Sequence, residues 1–152
     1  MDPQTLGADE QSWSRVVALY GRVEQQLGKA VQRAHGLGLS EYRALTLLTA
    51  AGPDGMRIQE LAEAVGLNQS SVSRLADRLE DAGLIERCVC DSDRRGVYMY
   101  LTESGQDRQA AARPTYKQTL ADALDAACEE EPLAGAARAL RGADVNGLAH
   151  AR

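Results

Sequence analysis

The chain has 152 residues, of which 44% are hydrophobic and 26% are charged, a composition that excludes a disordered chain and a small protein stapled by disulfides. Lys and Arg number 17 against 22 Asp and Glu, so the formal charge is -5. Bulk positive charge therefore cannot drive non-specific coating of nucleic acid, although a local basic site is compatible with this balance.

The sequence contains no hydrophobic run of the roughly 18 residues that a membrane span needs. Residues 1–11 are polar and acidic, unlike a secretory signal, so we expect a cytoplasmic protein. The three cysteines, Cys88, Cys90 and Cys128, are an odd number without framework spacing. In that compartment they are expected to be free thiols.

Apolar residues recur at spacings of three and four in the first part of the chain, which predicts an amphipathic helix over about residues 10–35. Ser40 is a suitable N-cap for a second helix, and the turn residues 52–55 are expected to end it. Both helices are interpreted as scaffold. The stripe on the first helix consists of Val16, Tyr20, Val23, Leu27 and Val31.

Two shorter helices follow in a helix-turn-helix pattern. The first is predicted to occupy about two turns from Ile58 to Val65, and Gly66 suits the left-handed residue that closes it. Asn68 can cap the next helix at once. Gly83 is placed to end that second helix.

A β-hairpin is predicted after Gly83, because two β-prone runs, 84–89 and 97–101, bracket the charged segment 90–96. We refer to this hairpin as the wing.

An alanine-rich helix is expected next over residues 102–128, with Pro114 kinking or interrupting it. A last short helix is predicted from Pro132 to about Arg141, followed by a frayed tail. Helices at both ends therefore flank the central segment.

Three segments between Leu39 and Gly105 carry a specific pattern: LSEYRALTLL, IQELAEAVGLNQSSVSRLADRLEDAGLIER and DSDRRGVYMYLTESG. In order and spacing, these segments together resemble the MarR family of winged helix-turn-helix transcriptional regulators. The resemblance implies a mainly α fold with a small β-hairpin wing. It also implies a homodimer in which each subunit presents its winged head to one half of a pseudo-palindromic DNA operator, with repression as the expected outcome.

The resemblance makes the whole chain, 1–152, a single MarR-type domain. Residues 39–102 would form the winged helix-turn-helix region, residues 1–38 and 103–141 the dimerisation helices, and residues 142–152 a flexible tail. The outer helices also carry more apolar surface than a head of about 60 residues can cover, which favours burial against a second subunit. Packing within one monomer is the alternative.

The second helix of the helix-turn-helix pair is predicted to enter the major groove, where its N-terminal end and outward face would meet the base edges. Ser and Gln hydrogen-bond to bases or phosphates, and Arg binds guanine through two bonds. The alternative interpretation is an ordinary solvated helix face. The predicted DNA-contacting residues on this helix are Gln69, Ser70, Ser71, Ser73, Arg74 and Arg78.

The wing carries two further DNA-binding candidates, Arg94 and Arg95, at its predicted tip. Long guanidinium side chains there can enter a narrow minor groove and its enhanced negative potential. Asp93, by resemblance, orients a wing arginine or pairs with an arginine of the head and is assigned to wing support. A solvated turn is the alternative for the two arginines.

The wing departs from the family pattern at Cys88 and Cys90, which stand where an arginine and an aspartate are common. On a strand they would face one side, near Arg87 and the wing arginines, whose charge favours the reactive thiolate. They would be about 6–7 Å apart, too far for an unstrained disulfide, so Cys128 or a second subunit would supply the partner. Redox sensing is thus an alternative function, and inert small apolar side chains are the other interpretation.

The resemblance also implies a small aromatic or phenolic effector in the crevice between the dimer helices and the head, which would modulate DNA binding. Aromatic residues at helical spacing are otherwise core or dimer contacts. The effector-binding candidates are Trp13, Tyr20, His35, Tyr42 and Arg43.

Catalytic motifs are absent from the sequence, which lacks a Gly-rich phosphate loop, an HExxH pair and a nucleophile elbow. We therefore expect neither an enzyme nor a cofactor. The Cys-x-Cys pair has no second Cys/His cluster to complete a zinc site, so no metal is expected. An interaction module that kept the fold without binding DNA is favoured more than an enzyme and less than redox sensing.

Overall fold

The structure is a computed structural model and describes residues 6–89 and 96–142. The described residues are mainly helical and include a small antiparallel sheet, as predicted. The elements, in chain order, are α1 (Ala8–His35), α2 (Leu39–Ala51), a short 3-10 helix (Gly52–Asp54), β1 (Met56–Arg57), α3 (Ile58–Val65), α4 (Gln69–Asp81), β2 (Ile85–Val89), β3 (Val97–Leu101), α5 (Glu103–Cys128) and α6 (Ala134–Gly142).

The chain divides into two compact units. One runs from Gly28 to Tyr116, and the other combines the residues before Gly28 with those after Tyr116. Because α1 and α5 each contribute to both units, the unit boundaries differ from the predicted ends of the helix-turn-helix region at 39 and 102.

The core of the 28–116 unit is built from the apolar sides of α2, α3 and α4 and from the sheet. Leu45, Leu61, Leu75 and Met99 are all fully buried in one cluster. Burying a Leu or Met side chain contributes about 1.5–3 kcal/mol, so this cluster fixes the three helices and the sheet against one another.

The sheet has the order β1-β3-β2, with both pairings antiparallel. The wing strands pair from Ile85 with Leu101 to Val89 with Val97, as the predicted hairpin requires. Strand β1 was not predicted, since two residues are too few to show alternation, and it forms by pairing Met56 with Met99 across the chain.

The helix-turn-helix turn follows the prediction closely. Gly66 has φ 69° and a left-handed conformation at the end of α3. Asn68 caps α4, because its Oδ1 accepts the backbone N–H of Ser71 at 2.9 Å. Gly83 follows α4 with φ 74°. Gly66 therefore ends α3 and Asn68 begins α4 within three positions, which sets the direction of α4.

The predicted N-cap of α2, Ser40, is wrong. The helix begins at Leu39 and Gly38 is its N-cap. The backbone N–H of Gly38 donates to Oε2 of Glu41 at 3.3 Å, so the carboxylate three positions later satisfies the cap without a Ser side chain.

Helix α5 begins directly after Thr102, whose Oγ1 accepts the N–H of Gly105 and donates to the carbonyl of Gly83. The helix runs unbroken through Pro114, so the predicted interruption is wrong. A proline removes one backbone donor, and a helix of 26 residues keeps the others on either side of it.

The second unit contains the first part of α1, the last part of α5, and α6. Leu19, Leu27 and Ala127 are buried in it, and Arg22 forms an ion pair with Glu130. Helix α6 begins two residues later than predicted, at Ala134. None of the helices in the described ranges is long and apolar enough to cross a membrane.

Candidate nucleic-acid interface

Helix α4 presents a polar face opposite its buried side. Val72, Leu75, Ala76 and Leu79 are buried, and this spacing turns the remaining positions outward. Of the predicted DNA-contacting residues, Gln69, Ser70, Arg74 and Arg78 are exposed, whereas Ser71 and Ser73 are half-buried.

The N-terminal end of α4 adds a favourable site for phosphate. The first N–H groups of a helix have no intrahelical acceptor, and the helix dipole places partial positive charge there. Asn68 takes only the N–H of Ser71. Gln69 and Ser70, which are exposed at this end, therefore combine side-chain and backbone donors at the start of the exposed face.

Arg78 is paired with a carboxylate of α2. Its Nε lies 3.3 Å from Oε1 of Glu41. Glu41 lies in the first turn of α2, so its link to α4 is a tertiary contact. The guanidinium is still 57% exposed, so it remains accessible to DNA.

Arg87 joins the wing to α4, a contact that the sequence analysis missed. Its Nη2 lies 2.7 Å from Oδ1 of Asp77 and 2.9 Å from Oε1 of Glu80. The hydrogen bond from the Arg87 side chain is the main cause that lowers the pKa of Glu80 below its ordinary value, and the same bond raises the pKa of Arg87. Two acidic groups on α4 are thereby compensated by one arginine of β2.

A second arginine, Arg57, lies beside the start of β3. Its Nε donates to the hydroxyl of Tyr98 at 2.9 Å, and its guanidinium lies 5.4 Å from the centre of the same ring. Its side chain also lies near Gly96, where a Cβ would stand 3.6 Å from Cδ of Arg57. The only sequence signal for this contact was a basic residue before α3, which does not by itself predict a partner.

The predicted wing tip lies outside the described residues. This applies to the support residue Asp93, the DNA-binding candidates Arg94 and Arg95, and the redox candidate Cys90. Their assignments therefore stay predictions. The strands on either side, β2 and β3, end at Val89 and begin at Val97.

Known proteins resemble this chain in sequence and in fold. Residues 35–96 match the sequence profile of the MarR family. Sco3205, a MarR family transcriptional regulator from Streptomyces coelicolor solved in complex with DNA, superimposes with a TM-score of 0.71 at 28% identity, covering 80% of this chain and 77% of that chain. In sequence over residues 35–96 and in fold, the chain is similar to MarR family transcriptional regulators.

Two further solved structures support the MarR fold along most of the chain. AbsC, a MarR family transcriptional regulator from Streptomyces coelicolor, has a TM-score of 0.71 at 28% identity and covers 92% of this chain and 99% of that chain. MepR from S. aureus, solved with DNA, has a TM-score of 0.62 at 22% identity and covers 76% of this chain and 80% of that chain. The last likeness concerns the fold alone.

A cavity of about 390 Å³ lies in the 28–116 unit. The ring of Tyr42 stacks on Tyr116 with the centroids 4.7 Å apart, and Nη2 of Arg43 lies 3.5 Å from the Tyr116 hydroxyl. The cavity is lined by Tyr42, Arg43, Thr46, Leu47, Ala64, Val65 and Tyr116. Two of the five effector-binding candidates therefore share one cavity, together with Tyr116, which the sequence analysis had not selected.

The other three effector candidates do not line that cavity. Nε2 of His35 is hydrogen-bonded to Oγ1 of Thr115 at 2.7 Å. Trp13 and Tyr20 belong to the other unit, where they are 68% and 63% exposed.

The two redox candidates that the structure describes belong to different units. Cys88 is exposed on β2, and Cys128 is half-buried in the other unit. Arg87 directs its guanidinium to Asp77 and Glu80, so the expected support of a Cys88 thiolate by this arginine is not seen. Neighbouring residues on a strand point to opposite faces, which accounts for the difference. Within the described ranges, no three His, Cys, Asp or Glu side chains are grouped to hold a metal ion.

Proposed function

We propose that this chain is a MarR-type, sequence-specific regulator of transcription that binds double-stranded DNA. The observation that carries this proposal is the exposed N-terminal face of α4, where Gln69, Ser70 and Arg74 lie in the first turns of the helix. A helix of this kind fits the major groove, whereas the buried face of α4 holds it on the core.

The attachment of the wing to α4 supports the same proposal. Arg87 joins β2 to the carboxylates of Asp77 and Glu80 on α4. Because the two elements are joined, α4 and the wing can contact adjacent grooves of the DNA together. Arg94 and Arg95 are then the proposed minor-groove contacts, and Asp93 their support. The compensation of two α4 carboxylates also reduces repulsion of DNA phosphates.

The proposed active form is a homodimer. On α1 the side chains of Trp13, Val16, Val17 and Tyr20 are 68%, 42%, 51% and 63% exposed, and their spacing puts them on one face of the helix. A cluster of large apolar side chains on one face is usually covered by a partner. A two-fold dimer places two α4 helices on a pseudo-palindrome with half-sites about 34–36 Å apart.

We further propose that a small aromatic anion modulates this binding from the cavity that Tyr42, Arg43 and Tyr116 line. The stacked rings offer an apolar wall and Arg43 offers a positive charge. Such a ligand changes DNA binding only if its affinity differs between the DNA-competent state and another state. Repression is the proposed outcome, because a dimer on an operator blocks access to a promoter.

The experiment that tests the function is selection of duplexes from a random library by the purified full chain. We expect enrichment of an inverted repeat with half-site centres one helical turn apart. A library that stays random after repeated rounds would overturn the proposal and favour an interaction module with the same fold.

A further inference from the structure

Glu41 connects the first turn of α2 to the later turns of α4. Its Oε2 accepts the backbone N–H of Gly38 at 3.3 Å, and the Nε–H of Arg78 donates to its Oε1 at 3.3 Å. One carboxylate therefore caps a helix and forms an ion pair with a residue of the proposed DNA-binding face.

The two members of this pair differ in their freedom to move. The Glu41 side chain is 21% exposed and is held by the backbone bond, whereas the Arg78 side chain is 57% exposed. The helices themselves are fixed relative to each other, since Leu45 of α2 and Leu75 of α4 belong to the same buried cluster. Glu41 is thus the fixed partner, and Arg78 is the side chain that the pair orders.

The atom that Glu41 contacts matters for DNA recognition. A guanidinium has five N–H groups, and the bond to Glu41 involves only the one on Nε of Arg78. The four N–H groups on Nη1 and Nη2 are those that grip guanine or phosphate through paired bonds. The contact therefore orients the arginine without occupying the groups that DNA recognition uses.

We propose that Glu41 is a positioning residue for DNA recognition, which acts by holding Arg78 in one orientation on the face of α4. The inference rests on the proposed DNA-binding function. With Glu41 in place, Arg78 contributes to discrimination between sequences. Without the carboxylate, Arg78 samples many rotamers and neutralises phosphate regardless of sequence.

The test compares Glu41→Gln with the wild-type full chain. The amide oxygen of Gln still accepts the N–H of Gly38, but the charge that holds Arg78 is gone. The Kd is measured for the selected operator duplex and for a scrambled duplex at the same salt concentration. We expect the ratio of the two affinities to fall about threefold, with the affinity for the scrambled duplex unchanged or higher.

Glu60→Gln is the matched control. Oε2 of Glu60 accepts the backbone N–H of Arg57 at 2.9 Å at the start of α3, so this variant loses the same charge from an equivalent cap. We expect it to keep the wild-type ratio of affinities for the operator and scrambled duplexes. Arg78→Lys supplies a second test that leaves the α2 cap intact, and its ratio should fall as in Glu41→Gln.

The double variant separates positioning from a structural role. In an Arg78→Ala background, Glu41→Gln should lower the ratio no further, because Glu41 acts through Arg78. An equal further fall in that background, or a wild-type ratio of affinities in Glu41→Gln, would overturn the inference. Equal binding of both duplexes by the wild type would instead overturn the proposed function itself.

Discussion

Arg87 and Glu80 are joined by two hydrogen bonds that link the wing to α4. Nη2 of Arg87 donates to Oε1 of Glu80 at 2.9 Å, and the backbone N–H of Arg87 donates to Oε2 at 3.1 Å. Because one partner lies on β2 and the other on α4, the bonds hold together the two elements that the proposed function brings to DNA.

This pair predicts a pH dependence of stability. The side-chain bond from Arg87 lowers the pKa of Glu80 below its ordinary value of 4.5. The stabilisation is therefore complete above pH 4.5 and is lost as the pH falls through the depressed pKa. Arg87→Gln should have a lower urea midpoint than the wild type at pH 7, and the difference should shrink in acid.

Arg33→Gln is the control, because it removes an exposed charge from the last turn of α1. Its difference in urea midpoint from the wild type should not shrink in acid. If the urea midpoints of Arg87→Gln and the wild type differed by the same amount from pH 7 to pH 3, the Arg87–Glu80 pair would not be the cause of the stability difference.

Gly105 is predicted to resist substitution. A Cβ there would stand 2.1 Å from the carbonyl oxygen of Leu84 and 2.7 Å from Cδ1 of Leu101, so the backbone of α5 would have to move. Gly105→Ala should destabilise the protein by about 1–3 kcal/mol, measured by urea denaturation. Gly28→Ala is the control, because a Cβ there meets nothing within 4 Å, and it should be neutral or stabilising. Equal stability of the two variants would refute the close approach.

Arg74 is predicted to contact a base. Arg74→Ala should lower operator affinity and relax discrimination at one position of the half-site by about 1–3 kcal/mol. Selection from a random library by the variant reports this as loss of preference at that position. A uniform loss of affinity for all sequences would reassign Arg74 to phosphate.

Arg94 and Arg95 are predicted to bind the minor groove. Replacing either with Ala should weaken operator binding and make the dependence of log K on log salt shallower by roughly one. Fluorescence anisotropy over a salt series measures both effects, with Arg33→Ala as the charge-matched control. Wild-type affinity and slope in both wing variants would exclude the wing from the interface.

The exposed apolar face of α1 is predicted to form the dimer. Trp13→Glu combined with Tyr20→Glu should shift the protein towards the monomer mass in sedimentation equilibrium, because two charges would be buried against a partner. Val89→Glu, at a side chain that is 71% exposed on β2, should leave the mass unchanged. Retention of the dimer in the double variant would place the contact elsewhere.

The local parts of the fold were predictable from sequence because their determinants are local. Asn68 begins a helix through its side-chain hydrogen bond to Ser71, and Gly66 ends one through its left-handed conformation. The α4 face followed from the period of Val72, Leu75 and Leu79. Gly38 was not predicted as the N-cap of α2 because Ser40 is the better cap by residue type. The hydrogen bond from the Gly38 N–H to the Glu41 carboxylate fixes the start of the helix instead.

The tertiary contacts of the site could not be predicted in the same way. The pairing of Met56 with Met99 joins positions far apart in sequence, and so does the stacking of Tyr42 on Tyr116. Arg87 had been considered only for its effect on the wing cysteines. Its actual partners depend on how β2 packs beside α4, which no residue pattern specifies.

The central claim is that α4 and the wing read one operator half-site in each subunit of a dimer. Hydroxyl-radical footprinting of the purified chain on a selected duplex tests it most directly. We predict two protected half-sites, related by a two-fold axis, with centres about 34–36 Å apart and minor-groove protection beside each. Protection of a single unpaired site, or uniform protection along the duplex, would contradict the account.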